Sequence, residues 1–154
     1  MVTVKTFNQN GKVVYQFAGV VDESFDVSAA LKDAQAPLFF ELSGIKRMNS
    51  TGVKKWMQFF NALQAEGKRC IFARVSPTLV EQLNLISNFS CGAEVVSVVL
   101  PFTCQACGSS ESISKDKKAL VGVDLDHVDW PCSSCQAPKL EFDDLADEYL
   151  RFWK

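Results

Sequence analysis

Apolar and polar positions alternate from the start of the chain: Val2, Val4 and Thr6 stand against Thr3, Lys5 and Phe7, and Val13, Tyr15 and Phe17 repeat the pattern after Asn10-Gly11. This period of two predicts a pair of strands, and Asn-Gly supplies the positive φ angles of a tight hairpin turn. After Gly19 the pattern changes. Phe25, Ala29, Leu31 and Ala34 suit a short helix capped by Ser24 or Asp26 and stopped before Pro37. Leu38 to Leu42 reads as an apolar strand. Val53, Trp56, Met57, Phe60 and Leu63 then recur at helical spacing in a helix expected from Thr51 to about Glu66, with Gly67 at its C-terminal turn. Cys70 to Ala73 reads as a strand, and Ser76-Pro77 opens a helix whose apolar stripe is Leu79, Leu83 and Ile86. Val95 to Leu100 is a β-branched run ending at Pro101, the pattern of a buried strand. The order β-β-α-β-α-β-α-β favours parallel pairings with right-handed crossovers, so the expected fold is α/β, a mixed sheet packed with helices.

The connection between the apolar strand and the long helix reads Met48-Asn49-Ser50-Thr51-Gly52. This spacing places Ser50 at the expected helix N-cap, facing free backbone N–H groups and the positive end of the helix dipole, where a phosphate would be favoured. Leu42-Ser43-Gly44-Ile45 followed by Met48-Asn49-Ser50-Thr51-Gly52-Val53 resembles the central signature of STAS domains, the family of the anti-sigma factor antagonists. The resemblance runs from about Val2 to Leu100 in the order of elements, and the loop is its specific part. It implies the STAS fold and a partner kinase that doubles as an anti-sigma factor and phosphorylates a loop serine, which maps onto Ser50. Asn49 stands where the family has an aspartate, and Thr51 is a second hydroxyl in the loop. The partner-binding set implied is Asn49, Ser50 and Thr51, with Lys46 and Arg47 just before them. Read on the residues alone, Ser50 is equally an unmodified cap, and Lys46 and Arg47 are two solvated cations.

The chain carries a second constellation. Cys104-Gln105-Ala106-Cys107-Gly108 and Cys132-Ser133-Ser134-Cys135 lie twenty-four residues apart, and two Cys-x-x-Cys knuckles bring four thiolates to one tetrahedral ion. With every position filled by sulfur, no open site remains for water or substrate, so the expected metal is a structural Zn2+; iron in the same ligand set is the alternative. A thioredoxin-like pair would sit between a strand and a helix, whereas these pairs lie in polar loops. Around the knuckles a loop Ser109 to Lys118, strands Leu120 to Leu125 and Leu140 to Phe142, and a terminal helix Asp143 to Phe152 are expected. Residues 1–100 therefore form an expected STAS-like domain and 101–154 a zinc-ribbon-like lobe, too small to fold easily without metal.

Charge and composition narrow the function. Residues 1–100 carry ten Lys and Arg against eight Asp and Glu, and residues 101–154 carry six against ten, so the acidic second part argues against nucleic-acid binding. No apolar run approaches about 20 residues and no signal peptide is visible, so a cytoplasmic location with reduced thiols is expected and no membrane partner. His127, the only histidine, lies among Asp124, Asp126 and Asp129 and reads as part of a solvated acidic strand. Cys70 reads as a buried thiol, Cys91 as an oxidisable loop residue, and Trp56, Phe59 and Phe60 as core. No Ser-His-Asp or Cys-His set and no phosphate-binding glycine loop is readable, which points away from an enzyme. The leading expectation is a bacterial signalling regulator that binds a protein partner through the Ser50 loop. A phosphorylation-independent interaction scaffold and a redox or metal sensor using the four cysteines stand beside it.

Overall fold

The computed structural model describes residues 1–154, a mixed α/β chain with two sheets and two α-helices. The first sheet holds β1 (Val2–Gln9), β2 (Lys12–Val21), β3 (Leu38–Met48), β4 (Cys70–Ala73) and β5 (Glu94–Val95), in that spatial order. β1 and β2 form the expected hairpin, with Asn10 and Gly11 at φ 53° and 78°. The remaining pairs are parallel, so each is joined by a crossover connection. α1 (Ser50–Ala65) crosses from β3 to β4, and α2 (Pro77–Leu85) crosses from β4 to β5. α1 ends with Gly67 at φ 75° and the Lys68 N–H returning to Leu63 O at 3.0 Å. α2 has Ser76 as its cap and Pro77 in its first turn.

Between β2 and β3 the expected helix is replaced by a single 3-10 turn, Ser28–Leu31. Its competitor is local. Asp22 accepts from the Ser24 N–H at 2.9 Å and Asp26 from the Ser28 N–H at 3.0 Å, so carboxylates take backbone donors that a helix would need. The apolar residues still reach the core, with Phe25, Val27, Leu31 and Ala34 all buried.

The core of the first sheet is aromatic. Trp56 is fully buried, 4.7 Å between centroids from Phe60 and stacked parallel on Phe89. Phe59 is half-buried and packs edge-on against Phe60, so the aromatic stripe of α1 belongs to the core.

The run expected as one strand ending at Pro101 breaks at Val96. β5 closes the first sheet, and β6 (Ser97–Cys104) passes through Pro101 into a second sheet of order β7-β6-β8. β7 (Ser110–Asp116) lies where a loop was expected, and β8 is Leu140–Phe142. The strand expected at Leu120 to Leu125 is absent: a 3-10 turn at Lys117–Leu120 leads into turns. The expected terminal helix is also absent, replaced by turns and a 3-10 turn at Arg151–Trp153. Tertiary hydrogen bonds from Tyr149, Phe152 and Trp153 override the helical pattern there. β6 thus crosses position 100/101 without interruption. One cluster of 32 buried residues runs from Tyr15 and Phe17 through Val98 and Leu100 to Cys132, Phe142 and Tyr149, so the two parts share a core.

Candidate functional site

Cys104 ends β6 and is buried, as is Cys132; Cys107 and Cys135 sit at the tips of their turns and are exposed. The two turns have the same backbone hydrogen bonding. In the first, the Gly108 N–H donates to Cys104 O at 2.8 Å and the Cys104 N–H to Ser109 O at 2.9 Å. In the second, the Gln136 N–H donates to Cys132 O at 2.8 Å and the Cys132 N–H to Ala137 O at 3.0 Å. The fifth residue of each has a positive φ, 76° at Gly108 and 67° at Gln136. The knuckles are therefore structural copies although their sequences differ.

All four sulfurs lie within 4.8 Å of one another, with Cys104 Sγ 3.6 Å from Cys135 Sγ and Cys107 Sγ 3.7 Å from Cys132 Sγ. A tetrahedron with metal–sulfur bonds of about 2.3 Å has edges of about 3.8 Å, so the donor set has the spacing of a four-thiolate site. The four cysteines can hold a metal ion, and they are the only group of three or more His, Cys, Asp or Glu side chains placed to do so.

Neighbours tune the sulfurs. The Ser109 hydroxyl is 3.2 Å from Cys107 Sγ and 3.3 Å from Cys132 Sγ. Through that hydroxyl first, and then the Ser109 N–H, the Cys107 thiol is lowered to about 6. The Ala137 N–H favours a Cys135 thiolate, but desolvation and the three other sulfurs outweigh it and push this thiol to about 12. Thiolates brought this close repel one another, and a bound metal ion would offset that repulsion. Glu111 on β7 accepts from the Ser133 N–H at 3.0 Å and from the Ser133 hydroxyl at 2.7 Å, fixing the second knuckle against the sheet that carries the first. Ser109 and Glu111 were not readable as site residues. Ser109 is a neighbour in sequence only of Cys107, and Glu111 meets Ser133 across 22 residues.

The Asn49–Ser50 connection corrects the sequence reading of the cap. β3 extends to Met48, Asn49 is the N-cap, and Ser50 is the first helical residue. The Asn49 side-chain oxygen accepts from the Gly52 N–H at 2.7 Å, the bond expected of Ser50. Ser50 and Thr51 are both exposed. Gly52 has a separate reason: a Cβ there would lie 2.0 Å from Val21 O, so only glycine lets α1 start so close to the end of β2. Beside the connection, an open groove of about 500 Å³ is lined by Glu23, Lys46, Arg47, Asn49, Thr78 and Glu81 among others. It lies at the carboxyl ends of parallel strands, where open α/β sheets place ligand crevices. Lys46 and Arg47 are exposed and join none of the chain's ion pairs. Acidic groups are also close: Asp22, Glu23 and Glu81 line the groove, and the Asn49 amide lies 3.4 Å from Glu23 Oε2.

The other candidates fall away from both places. His127 is exposed in a turn rather than a strand, 2.8 Å from the Asp124 carboxylate, which raises the imidazole pKa. Burial pushes the Cys70 thiol up to about 11, with the Cys91 sulfur as a second cause. Cys91 is buried as well and its thiol is raised by burial, which corrects the expectation of an oxidisable loop cysteine.

Comparison of the chain with protein-family models, curated proteins and solved structures finds no significant match to any of them. No helix is long and apolar enough to cross a membrane.

Proposed function

We propose that this chain is a non-enzymatic signalling regulator, similar to the STAS-type anti-sigma factor antagonists, that binds a protein partner through the face around Ser50. The observation that carries the reading is an exposed Ser50 at the first position of α1, beside the Lys46 and Arg47 groove and at the carboxyl end of a parallel sheet. The strand order, with one antiparallel hairpin and parallel crossovers, supports it. Asn49 supports it as well: the family's acidic position is here the cap position, and asparagine and aspartate cap a helix about equally well. A phosphate on Ser50 would meet the first-turn N–H groups and the dipole of α1, and its charge would change what can dock there.

The four cysteines then hold a structural zinc that ties the two knuckles together at the end of β6, beside a core that the C-terminal residues share with the first sheet. A closed tetrahedral set of four thiolates is the donor set of structural zinc sites, and iron in the same four ligands is the alternative. The test is affinity purification from the native host with wild-type and Ser50→Asp protein. A partner recovered with the wild type and reduced about tenfold or more with Ser50→Asp supports the reading; unaltered recovery of every partner sinks it.

A second reading, a docking scaffold without phosphorylation, is favoured by one observation. Glu23 lies against Asn49, so negative charge already stands next to Ser50 and opposes a phosphate there. It predicts that Ser50→Ala and Ser50→Asp bind the partner equally.

A further inference from the structure

The C-terminal segment after β8 is fastened to β6, to α2 and to β5, the edge strand of the first sheet, by hydrogen bonds that each use a side chain. Tyr149, buried, donates from its hydroxyl to Val99 O at 2.7 Å. Asn84 on α2 uses both ends of its amide: Nδ2 donates to Tyr149 O at 2.9 Å and Oδ1 accepts the Phe152 N–H at 2.9 Å. Trp153 Nε1 donates to Val95 O at 3.0 Å. At its other end the segment continues from β8, which pairs Leu140 with Cys104 and brings Lys139 O to the Gln105 N–H at 2.8 Å, inside the first knuckle.

α2 is held from its N-terminal side by β6. The Val75 N–H donates to Ser97 O at 3.1 Å and the Val99 N–H returns to Val75 O at 2.9 Å, so β6, which ends in Cys104, grips the residue before the α2 cap. Thr78 on α2 donates to Lys46 O at 2.9 Å, which makes the helix one wall of the groove beside Asn49 and Ser50.

We propose that residues 143–153 are a clasp that ties metal loading of the four cysteines to the position of α2, so that the groove beside Ser50 takes its shape only in the metal-loaded protein. The proposal rests on the metal and docking readings above. Its two-state element is the pair of knuckles with β8, since β6 itself is packed into the core of the first sheet. Small metal lobes are ordered with the ion and disordered without it, and an element whose equilibrium both places bias is what coupling requires. Losing the metal frees the knuckles, β8 loses its hold on Cys104, and the segment leaves Asn84.

The test is amide hydrogen exchange by mass spectrometry on the full chain, zinc-loaded and after chelation with EDTA, with zinc content measured on the same samples. Chelation is expected to speed exchange in 143–153 and in α2 by about tenfold or more, while Trp56 to Leu63 of α1 stays unchanged. In Asn84→Ala protein, α2 already exchanges at the fast rate with zinc bound, and chelation adds nothing there. Should Asn84→Ala fail to fold by circular dichroism, Trp153→Phe removes one clasp hydrogen bond and is expected to shift 143–153 in the same direction. One zinc per chain with faster exchange confined to the knuckles overturns the clasp and leaves the metal reading standing. Absence of zinc binding overturns both, and the Ser50→Asp purification reports on the docking reading separately.

Discussion

The side-chain oxygen of Asn49 holds the Gly52 N–H at 2.7 Å, and this one bond puts the capping of α1 on Asn49 rather than on Ser50. Asn49 closes the helix, which leaves the exposed Ser50 hydroxyl free of that task. Asn49→Ala is therefore expected to cost about 1 kcal/mol of stability by urea denaturation. Ser50→Ala changes it by less than about 0.5 kcal/mol, as for surface positions generally. Equal losses at the two positions would return the cap to Ser50.

Gly52 is fixed by backbone contact. A methyl group 2.0 Å from Val21 O forces α1 away from β2. Gly52→Ala is expected to destabilise the fold by about 2 to 3 kcal/mol in the same assay, with a lower thermal midpoint.

Glu41 introduces acid sensitivity. Burial pushes its carboxyl up, but Ser43 and the Gln16 amide, which donates at 2.7 Å, outweigh this and hold the carboxyl below its usual range. A depressed folded-state pKa gives stability that is present above the unfolded value of about 4.3 and is lost as pH falls through the folded value. Denaturation between about pH 6 and pH 3 should show wild-type stability falling more steeply than that of Glu41→Gln. Parallel curves would contradict the assignment.

The matched knuckles predict an unusual improvement. Gln136 occupies with a φ of 67° the position that Gly108 holds at 76° in the first turn. A left-handed residue with a side chain costs about 1 kcal/mol, so Gln136→Gly should tighten zinc binding severalfold in a chelator competition. Weaker binding would mean that the Gln136 side chain, which donates to Ser133 O at 3.1 Å, matters more than its backbone.

Much of this architecture was legible because its signals are local. The Asn10-Gly11 turn, the apolar stripes of α1 and α2, the Ser76-Pro77 start and the two Cys-x-x-Cys pairs each depend on residues within a few positions of one another. What escaped depends on distance. β7 alternates Glu111, Ile113 and Lys115 against three exposed serines, so only one apolar residue marks it as a strand, and pairing with β6 makes it one. The tail from Asp143 has a helical pattern in Leu145, Tyr149 and Phe152, yet Leu145 is 62% exposed and Tyr149 is bonded to Val99, fifty residues away. The pattern puts the cap one residue late, at Ser50 in place of Asn49, because Ser and Asn are both strong caps, and only the end of β3 at Met48 chooses between them.

Whether Ser50 switches a docking face is read from phosphopeptide mass spectrometry on protein purified from its native host. Samples from several growth and stress conditions should be digested to cover Lys46 to Lys54. Phosphate on Ser50 is expected in at least one condition, and none on Thr51. An unmodified peptide, well detected in every condition, would contradict the switch and leave Ser50 as an ordinary first residue of α1.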